Sequence, residues 1–462
     1  MKNIIYTLIF TILSVLNFSC KKTLNYSKDN LSFSADTVLF DTVFTTIGST
    51  TKRFKIYNND KSKLKIDDIQ LMGGTDSPFR INIDGESGIY FSDIEMNKKD
   101  SLFAFVEVTL EVNNVSNPLV ISDSIRFRTN GKDQYVNLDV WGQDAYFHAN
   151  EVVSDAEPWL NDKPHVIYGV AAVGYPGIDS NLTLTIPAGT QVYGHKNSAL
   201  FVYKSTLLVQ GQLGNEVVFQ GDRLESFYND VSGQWRGVWL SQAKNCNIDY
   251  AIIKNGSVGL QVDTTSGFNT LNLTNTIITN NDFYNLWLVA GAIVNAENCV
   301  FGDAGVISTY CFAGGDASFT NCNFTNYWSG SRSGPGFALK NWFEGSNGLF
   351  YEQNVTLDLF NCIMYGNAQD EFIIDSLANG AAVFDVNIVN CLMKKEEIYN
   401  YAYLSNILWN QDPMFIDLQL RDFHPSSGSP LIDAGDNTTF TANSIDGVSR
   451  GSNPDIGAYE FN

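Results

Sequence analysis

The sequence predicts an all-β protein, with an N-terminal β-sandwich followed by a parallel β-helix. An Asn-Cys pair recurs along the second half, and its Asn positions lie 30, 23, 23, 40 and 29 residues apart. Each pair sits in a short run that alternates with period two and is rich in β-branched and aromatic residues, which indicates strands. A repeat of this length, with no helix-length amphipathic pattern between its strands, predicts one β-helix coil per repeat. The pairs are Asn245-Cys246, Asn298-Cys299, Asn321-Cys322, Asn361-Cys362 and Asn390-Cys391, and Asn275-Thr276 occupies the same slot.

Composition limits the classes of function. The chain has 462 residues and a formal net charge of −21, from 50 acidic and 29 basic residues. An acidic surface repels phosphate backbones, so nucleic acid is not an expected partner. The length permits two or three domains. The aromatic content of 13% suits a turn-rich β protein outside the cytoplasm.

Residues 1–19 have the pattern of a signal peptide, with Lys2 ahead of the apolar run Ile4–Phe18. This run is shorter than the ~20 residues that a membrane-spanning helix needs. Cys20 follows at its end, and the arrangement resembles a lipoprotein signal of the bacterial, Bacteroidota type. The resemblance implies a lipid on Cys20, a tether over residues 20–30 and attachment to the outer membrane, periplasmic or surface-exposed. An ordinary signal peptide cleaved nearby is the alternative.

Residues 31–146 are expected to form the β-sandwich, because about seven short strands separated by turn signals fall within them. The runs Lys52–Asn59, Phe103–Val112 and Val136–Gly142 follow one another in an order that resembles immunoglobulin-like modules of the ASPM/SPD-2/hydin type. The resemblance implies a spacer that lifts the next domain from the membrane. Specific ligand binding is the alternative.

Residues 147–410 are expected to form the β-helix. In the first coils, Leu182–Tyr193, Leu207–Gly214 and Gln234–Leu240 combine apolar strands with Pro- and Gly-rich corners. With the Asn-Cys repeat, this order resembles the right-handed parallel β-helix family of pectate-lyase-like architecture. The resemblance implies a fold and no particular reaction.

Two Trp residues of the first coils lie four positions apart, so Trp235 and Trp239 are expected on the same side of a strand. Packing in the core is the favoured role for both. A platform that stacks on sugar rings is the alternative.

The repeated pair has a structural interpretation. Asn tolerates the left-handed backbone conformation that a coil corner needs, and its amide can bond to neighbouring coils in a ladder. The Cys that follows is expected to point inward as a small apolar residue. Because five Cys share one slot and point in parallel, free thiols are favoured over disulfides. The state of Cys311, which lies outside the slot, is left open.

One interval breaks the period, from Asn321 to Asn361. Its extra residues predict a ligand-binding loop, because long loops on rigid scaffolds carry function and aromatic and charged groups bind sugars. An additional coil is the alternative. The candidate ligand-binding residues are Trp328, Arg332, Lys340, Trp342, Phe343 and Glu344.

Asp370-Glu371 forms an acidic corner that is a weak candidate for Ca²⁺. No Cys or His spacing typical of a metal site is present. No other cofactor or metal is expected, and no catalytic residue can be assigned.

Residues 411–462 contain Gly428–Gly435, Asp446–Arg450 and Asp455–Phe461. These motifs closely resemble the choice-of-anchor Q module at the end of bacterial β-helix surface proteins. Such a module is expected to cap the open end of the β-helix, with Arg450 paired to a carboxylate.

Two hypotheses of function remain. The first is a membrane-tethered envelope lipoprotein whose β-helix binds a polysaccharide or an envelope protein without catalysis. The second is a polysaccharide lyase or glycoside hydrolase on the same scaffold. Hydrolysis requires two carboxylates across a cleft, and lyase chemistry a basic residue.

Overall fold

The computed structural model describes residues 26–44, 48–111, 119–153, 158–263, 270–377, 382–398 and 400–462. The predicted signal peptide and Cys20 lie outside these ranges. Across them, no helix is both long enough and apolar enough to cross a membrane. The chain divides after Asp144 into two compact units.

The first unit contains two five-stranded sheets. The strands are β1 (Ser32–Phe33), β2 (Thr37–Phe44), β3 (Lys52–Tyr57), β4 (Leu64–Leu71), β5 (Phe79–Ile83), β6 (Glu86–Gly88), β7 (Tyr90–Met96), β8 (Ser101–Val108), β9 (Leu119–Thr129) and β10 (Lys132–Gln143), with a short 3-10 helix at Gly74–Asp76. The strand orders are β1-β3-β8-β5-β6 and β2-β10-β9-β4-β7. Inward residues of both sheets form one core, in which Phe54, Phe79 and Phe127 are fully buried. This is the predicted sandwich.

The second unit begins with β11 (Tyr146–Val152) and β12 (His165–Val173) and continues as a stack of coils with three faces. Face one consists of β13 (Thr183–Pro187), β16 (Thr206–Gln210), β19 (Cys246–Asp249), β22 (Leu271–Thr274), β25 (Ala292–Glu297), β28 (Gly315–Thr320), β33 (Val355–Phe360), β36 (Phe384–Val389) and β38 (Leu404–Ser405). Face two consists of β14 (Gln191–Gly194), β17 (Val217–Gly221), β20 (Ala251–Lys254), β23 (Ile277–Thr279), β26 (Val300–Phe301), β29 (Asn323–Asn326), β34 (Ile363–Gly366), β37 (Leu392–Met393) and β39 (Leu408–Trp409). Face three consists of β15 (Ala199–Tyr203), β18 (Gly237–Ser241), β21 (Val258–Asp263), β24 (Tyr284–Val289), β27 (Ile307–Phe312), β30 (Phe337–Lys340) and β35 (Phe372–Asp375).

Every strand of these faces pairs in parallel with its counterpart in the next coil. Face one is a nine-stranded sheet, and faces two and three form one 18-stranded sheet with β11 and β12. The predicted fold class, an all-β chain with a parallel β-helix, is therefore confirmed. Two hairpins lie outside the faces. The first consists of β31 (Trp342–Glu344) and β32 (Phe350–Glu352), and the second of β40 (Phe415–Asp417) and β41 (Asp422–Pro425). A 3-10 helix spans Ser226–Tyr228.

Five of the six repeated Asn, from Asn275 to Asn390, occupy the corner between faces one and two. Asn245 lies ahead of β19, at the corner between faces three and one, so its predicted place in the shared slot is wrong. All six Asn have positive φ, from 47° at Asn275 to 54° at Asn361, as the left-handed corner conformation predicts. The side chains also form part of a ladder, since the Asn298 amide donates to the Asn275 oxygen at 3.2 Å. The corner prediction is confirmed.

The later Asn side chains bond to the C-terminal segment, residues 411–462. Asn361 donates to the carbonyl oxygens of Asp436 and Thr439, at 3.2 and 3.1 Å. Asn321 and Asn298 bond to the same segment in the same way. Because these contacts follow successive coils, the segment lies along the flank of the stack, whereas the sequence predicted a cap over its open end. The predicted partner of Arg450 is Glu460, with which it forms a buried ion pair.

The six Cys side chains beyond Cys20 are free and buried. Each thiol of the repeated slot donates to a backbone carbonyl, as Cys299 does to the Leu273 oxygen at 3.4 Å. Burial raises the pKa of the Cys246 and Cys311 thiols to about 12. The prediction of free thiols is confirmed, and Cys311 is free and buried as well. Four of the five predicted ladder members share the slot after a face-one strand, whereas Cys246 begins β19 and lies outside it.

The long interval between Asn321 and Asn361 holds two insertions in one coil. One joins β29 to β30 over residues 327–336, and the other holds the β31–β32 hairpin. Strand β30 is an ordinary strand of face three, paired with β27 and β35. The alternative of an additional coil is therefore wrong.

Candidate functional site

The outward side of face three carries two rows of side chains that stack in register from coil to coil. The first row is Phe201, Trp239, Gln261, Trp287, Tyr310, Ala338 and Ile373, and the second is Tyr203, Ser241, Asp263, Val289, Phe312, Lys340 and Asp375. Seven coils at about 4.8 Å per step give these rows a length of roughly 29 Å. Six of the fourteen side chains are aromatic. We call this surface the aromatic face.

Strand alternation explains why these residues point outward. In β18, Val238 and Leu240 are buried in the core, while Trp239 between them is half-buried. The same pattern places Trp287 between buried Leu286 and Leu288. Core packing therefore fixes the direction of the outward aromatic rings, which are presented on a rigid sheet.

Trp239 contradicts the prediction that it shares a side with Trp235. Trp235 is 1% exposed and belongs to the core, whereas Trp239 lies on the aromatic face. Between them, Gly237 has a φ of 117°, and a Cβ there would lie 1.6 Å from the Val258 oxygen. This irregular residue interrupts the period-two alternation, so a spacing of four does not keep the two rings on one side.

Trp239 has a polar and aromatic environment of its own. Its ring meets Phe201 edge to face at a centroid distance of 4.9 Å, and the Arg236 guanidinium lies 4.7 Å from its centroid. Its indole N–H donates to Asp263, which also accepts from Gln261 at 2.8 Å. These contacts hold the ring in place and commit both oxygens of the Asp263 carboxylate.

The centre of the aromatic face is formed by rings from two adjacent coils. Tyr284 lies 5.1 Å from Trp287 and 5.8 Å from Tyr310, measured between ring centroids, and Tyr310 lies 5.5 Å from Phe312. The Trp287 indole N–H has no hydrogen-bond acceptor among the described residues. This nitrogen is itself buried, within a platform of four half-buried rings.

Lys340 and Trp342, two of the predicted ligand-binding residues, lie together at the far end of the aromatic face. The Lys340 ammonium is 3.4 Å from the Trp342 ring centroid and 3.6 Å from the Asp375 carboxylate. The Trp342 indole N–H donates to Asp375 at 3.0 Å. The Lys340 ammonium, the Trp342 ring and the Asp375 carboxylate therefore stabilise one another's positions at this end of the aromatic face.

The β31–β32 hairpin contains the next two predicted residues, Phe343 and Glu344. Phe343 stacks on Tyr351 at 5.4 Å, and Glu344 is exposed. Phe350, 57% exposed, meets Trp342 edge to face. Because the hairpin directly follows β30, it borders the aromatic face.

Trp328 and Arg332 lie on the other insertion, which precedes β30. The Arg332 guanidinium donates to buried Glu371 at 2.9 and 2.5 Å, and only 4% of the Arg332 side chain is exposed. The Trp328 carbonyl oxygen accepts from Asn367 at 2.8 Å. The six predicted residues are thus divided between two insertions and strand β30, which contains Lys340, and the Arg332 guanidinium is committed to the protein.

Both carboxylates of the acidic corner Asp370-Glu371 are paired with basic side chains of the protein. Glu371 is paired with Arg332, and the Asp370 carboxylate lies 3.7 Å from Lys395. No three His, Cys, Asp or Glu side chains of the described ranges come together as metal ligands.

The strands of face three contain only two carboxylates, Asp263 and Asp375. They lie four coils apart, or roughly 19 Å at 4.8 Å per coil. Retaining and inverting glycosidases need their carboxyl groups within about 5–10 Å. Together, these two groups cannot serve as that catalytic pair.

A second constellation, which the sequence did not reveal, lies at a corner between faces two and three in the first coils. His195 Nδ1 is 2.6 Å from Asp222 Oδ2, and the His195 ring stacks on Tyr168 at 4.3 Å. Burial raises the pKa of Asp222, although the bond to His195 opposes the shift. Burial and the Asp222 charge raise the pKa of Tyr168 to about 12. With 44% of its side chain exposed, His195 is the accessible member of the group.

No protein-family model and no curated protein matches the chain. Three solved structures share a distant likeness. The catalytic unit of a thermostable GH87 α-1,3-glucanase from Streptomyces thermodiastaticus strain HF3-3 has a TM-score of 0.33 and 10% identity, over 77% of this chain and 74% of the glucanase. A family 123 glycoside hydrolase from Clostridium perfringens has a TM-score of 0.18 and 8% identity, over 27% of this chain and 31% of its own.

PapD-like domain 7 of human CEP192 has a TM-score of 0.17 and 9% identity, over 25% of this chain and 84% of the domain. At these TM-scores and identities, none of the three likenesses carries an argument about activity. The functional argument therefore depends on the residues of the chain itself.

Proposed function

We propose that the β-helix binds a glycan along the aromatic face, without catalysis. The observation that carries this proposal is the platform of Tyr284, Trp287, Tyr310 and Phe312, whose rings cluster within 5.8 Å of their neighbours. Flat apolar rings offer stacking surfaces to the apolar faces of sugar rings. The length of the rows, roughly 29 Å, suits an extended oligosaccharide that runs along the helix axis.

The polar groups of the aromatic face support binding more than bond cleavage. Asp263 and Asp375 are engaged by indole N–H groups and stand too far apart for a hydrolytic pair. Arg236 and Lys340 lie over Trp rings at opposite ends of the face. The face therefore offers rings and hydrogen-bonding groups at fixed positions, which is what recognition of a glycan requires.

Binding is tested by calorimetry against a panel of neutral and acidic polysaccharides. Trp287→Ala and Tyr310→Ala should each weaken the best ligand by about 1–3 kcal/mol, the range found for base stacking on aromatic side chains. Tyr135→Ala is the matched control, because Tyr135 is 50% exposed on the other unit. Equal affinity in all four proteins would exclude the aromatic face as the site.

We further propose that the protein is an envelope lipoprotein attached to the outer membrane through Cys20, with residues 31–146 as a spacer. The support is the sequence alone, since Cys20 ends the apolar run of the signal peptide. Metabolic labelling with palmitate should mark the wild-type protein and not Cys20→Ala. Label retained in Cys20→Ala would rule out this anchor.

The alternative, a polysaccharide lyase or glycoside hydrolase, is favoured by one observation. His195 is accessible and its Nδ1 is held by Asp222, an arrangement that suits a general base. The same polysaccharide panel is assayed for unsaturated products by absorbance and for new reducing ends. We expect neither, and product formation that disappears in His195→Ala would establish the enzymatic alternative.

A further inference from the structure

The outer side of one sheet of the first unit carries cations and aromatic rings. In β3, Arg53 and Lys55 point outward between the buried Phe54 and Ile56. Register places Arg53 opposite Phe105 and Lys55 opposite Phe103 on β8. Both cations lie over the Phe103 ring, at 5.5 and 4.8 Å from its centroid.

The next strand, β5, extends this surface. Arg80 and Asn82 point outward, and register places Asn82 opposite Phe105 and Arg80 opposite Glu107. A cavity of about 580 Å³ opens here, lined among others by Thr51, Arg80, Asn82, Ser87, Phe105 and Glu107. Its floor therefore includes a half-buried ring, and its walls carry an amide, two hydroxyls, a guanidinium and a carboxylate.

The cations of this surface are not held in salt bridges. Arg53, Lys55 and Arg80 make no ion pair with a carboxylate in the described ranges. Arg80 uses one terminal nitrogen for the carbonyl oxygens of Ser77 and Phe79, at 2.5 and 2.7 Å. In a chain with a net charge of −21, three cations on one sheet without acidic partners are unexpected, since acidic groups outnumber basic ones.

Glu107 is the one carboxylate that lines the cavity, and it accepts from the Thr51 hydroxyl at 2.5 Å. It lies beside Arg80 in register and partly offsets its charge. Arg53 and Lys55 face Phe105 and Phe103 across the sheet and have no acidic cross-strand neighbour on β8. The positive charge of the surface is therefore concentrated beside the two rings.

We propose that this cation–aromatic surface binds a carboxylated sugar, a uronate within a glycan. The Phe105 ring stacks on the sugar ring, Arg80 binds the carboxylate, and the hydroxyls of Thr51 and Ser87 bond to the sugar hydroxyls. This site lies on the other unit from the aromatic face and does not depend on the function proposed for it.

The test is calorimetric titration of the full chain with trigalacturonate. Arg80→Gln and Phe105→Ala should each weaken binding by about tenfold, because each removes a charge-assisted bond or a stacking surface. Lys132→Gln removes the same charge from an exposed position on the other sheet and should leave affinity unchanged. Melting curves of the variants check that they fold, and Arg80→Gln, exposed in the wild type, tests the proposal if Phe105→Ala does not fold.

Two further probes identify the ligand class. The methyl ester of trigalacturonate keeps the rings without the charge and should bind about tenfold more weakly. Poly-L-glutamate has the charge without the rings and should not compete. Equal binding of the ester, equal competition by poly-L-glutamate, an equal loss in Lys132→Gln or no binding of trigalacturonate would each overturn the proposal. Trp287→Ala should retain this binding, which separates it from the glycan site of the β-helix.

Discussion

Replacing Glu371 with Ala should strongly destabilise the β-helix. The Glu371 carboxylate is fully buried and accepts four hydrogen bonds: two from the Arg332 guanidinium, one from the Gly336 N–H at 2.7 Å and one from the Ala368 N–H at 2.8 Å. Removing it leaves a buried guanidinium without its anion and two backbone donors without acceptors. Breaking a buried pair in this way costs about 3–5 kcal/mol, a large part of the 5–15 kcal/mol that typically holds a domain together.

The neighbouring acid provides the matched control. Asp370 is partly exposed and lies 3.7 Å from Lys395, so Asp370→Ala should cost about 1 kcal/mol or less. Urea unfolding, followed by circular dichroism, measures both variants against the wild type. A loss in Glu371→Ala no larger than that in Asp370→Ala would refute the reasoning. The double variant Arg332→Leu with Glu371→Leu should recover part of the loss, because neither charge then remains buried.

Two other predictions concern titration and thiol chemistry. Although burial lowers the pKa of His424, its hydrogen bonds to Asp446 and Asp422 raise the pKa above the ordinary value of 6.5. The stabilisation is complete below pH 6.5 and is lost as pH rises through the higher folded-state pKa. The melting temperature of the wild type should therefore fall relative to His424→Gln across that range, and parallel curves would contradict the prediction. Cys322 and the other described thiols should react with a thiol reagent only after denaturation, and rapid reaction of the native protein would show that the ladder is accessible.

The coil architecture could be predicted from the sequence because one corner recurs with the same chemistry. Each Asn at that corner needs the same left-handed conformation, as at Asn321 and Asn361, and the next residue always enters the core. The side-chain pattern therefore repeats together with the backbone. This is why the fold, the direction of the Cys side chains and their free state were all accessible without coordinates.

The aromatic face could not be predicted in the same way. Its strands follow corner loops of different lengths, from the 3 residues between β20 and β21 to the 15 between β17 and β18. Trp239, Trp287 and Tyr310 therefore show no constant spacing, and their stacking appears only when the coils are aligned. The one available signal was local, an aromatic residue between two core residues, as in Leu286-Trp287-Leu288.

The predicted ligand loop illustrates a different limit. Its length was informative, because the interval does contain two insertions, and one of them, the β31–β32 hairpin, borders the aromatic face. The composition of a loop does not reveal which charges are already paired, and Arg332 is paired with an acid 39 residues away. Lys340 and Trp342 do reach the end of the aromatic face, since β30 belongs to it.

The C-terminal segment changes how the coils depend on one another. In a stack of repeats, each unit normally contacts only its neighbours, so opening can spread one unit at a time. Here Asn361 bonds to Asp436, and Asn298 bonds to Asn443, so coils two steps apart in the stack are joined through the C-terminal segment. A chain that leaves the ribosome from its N-terminus completes these links last. Long-range cooperativity is thus acquired only after the C-terminal segment has been made, and a chain truncated before residue 411 would lose the connection that makes its coils unfold together.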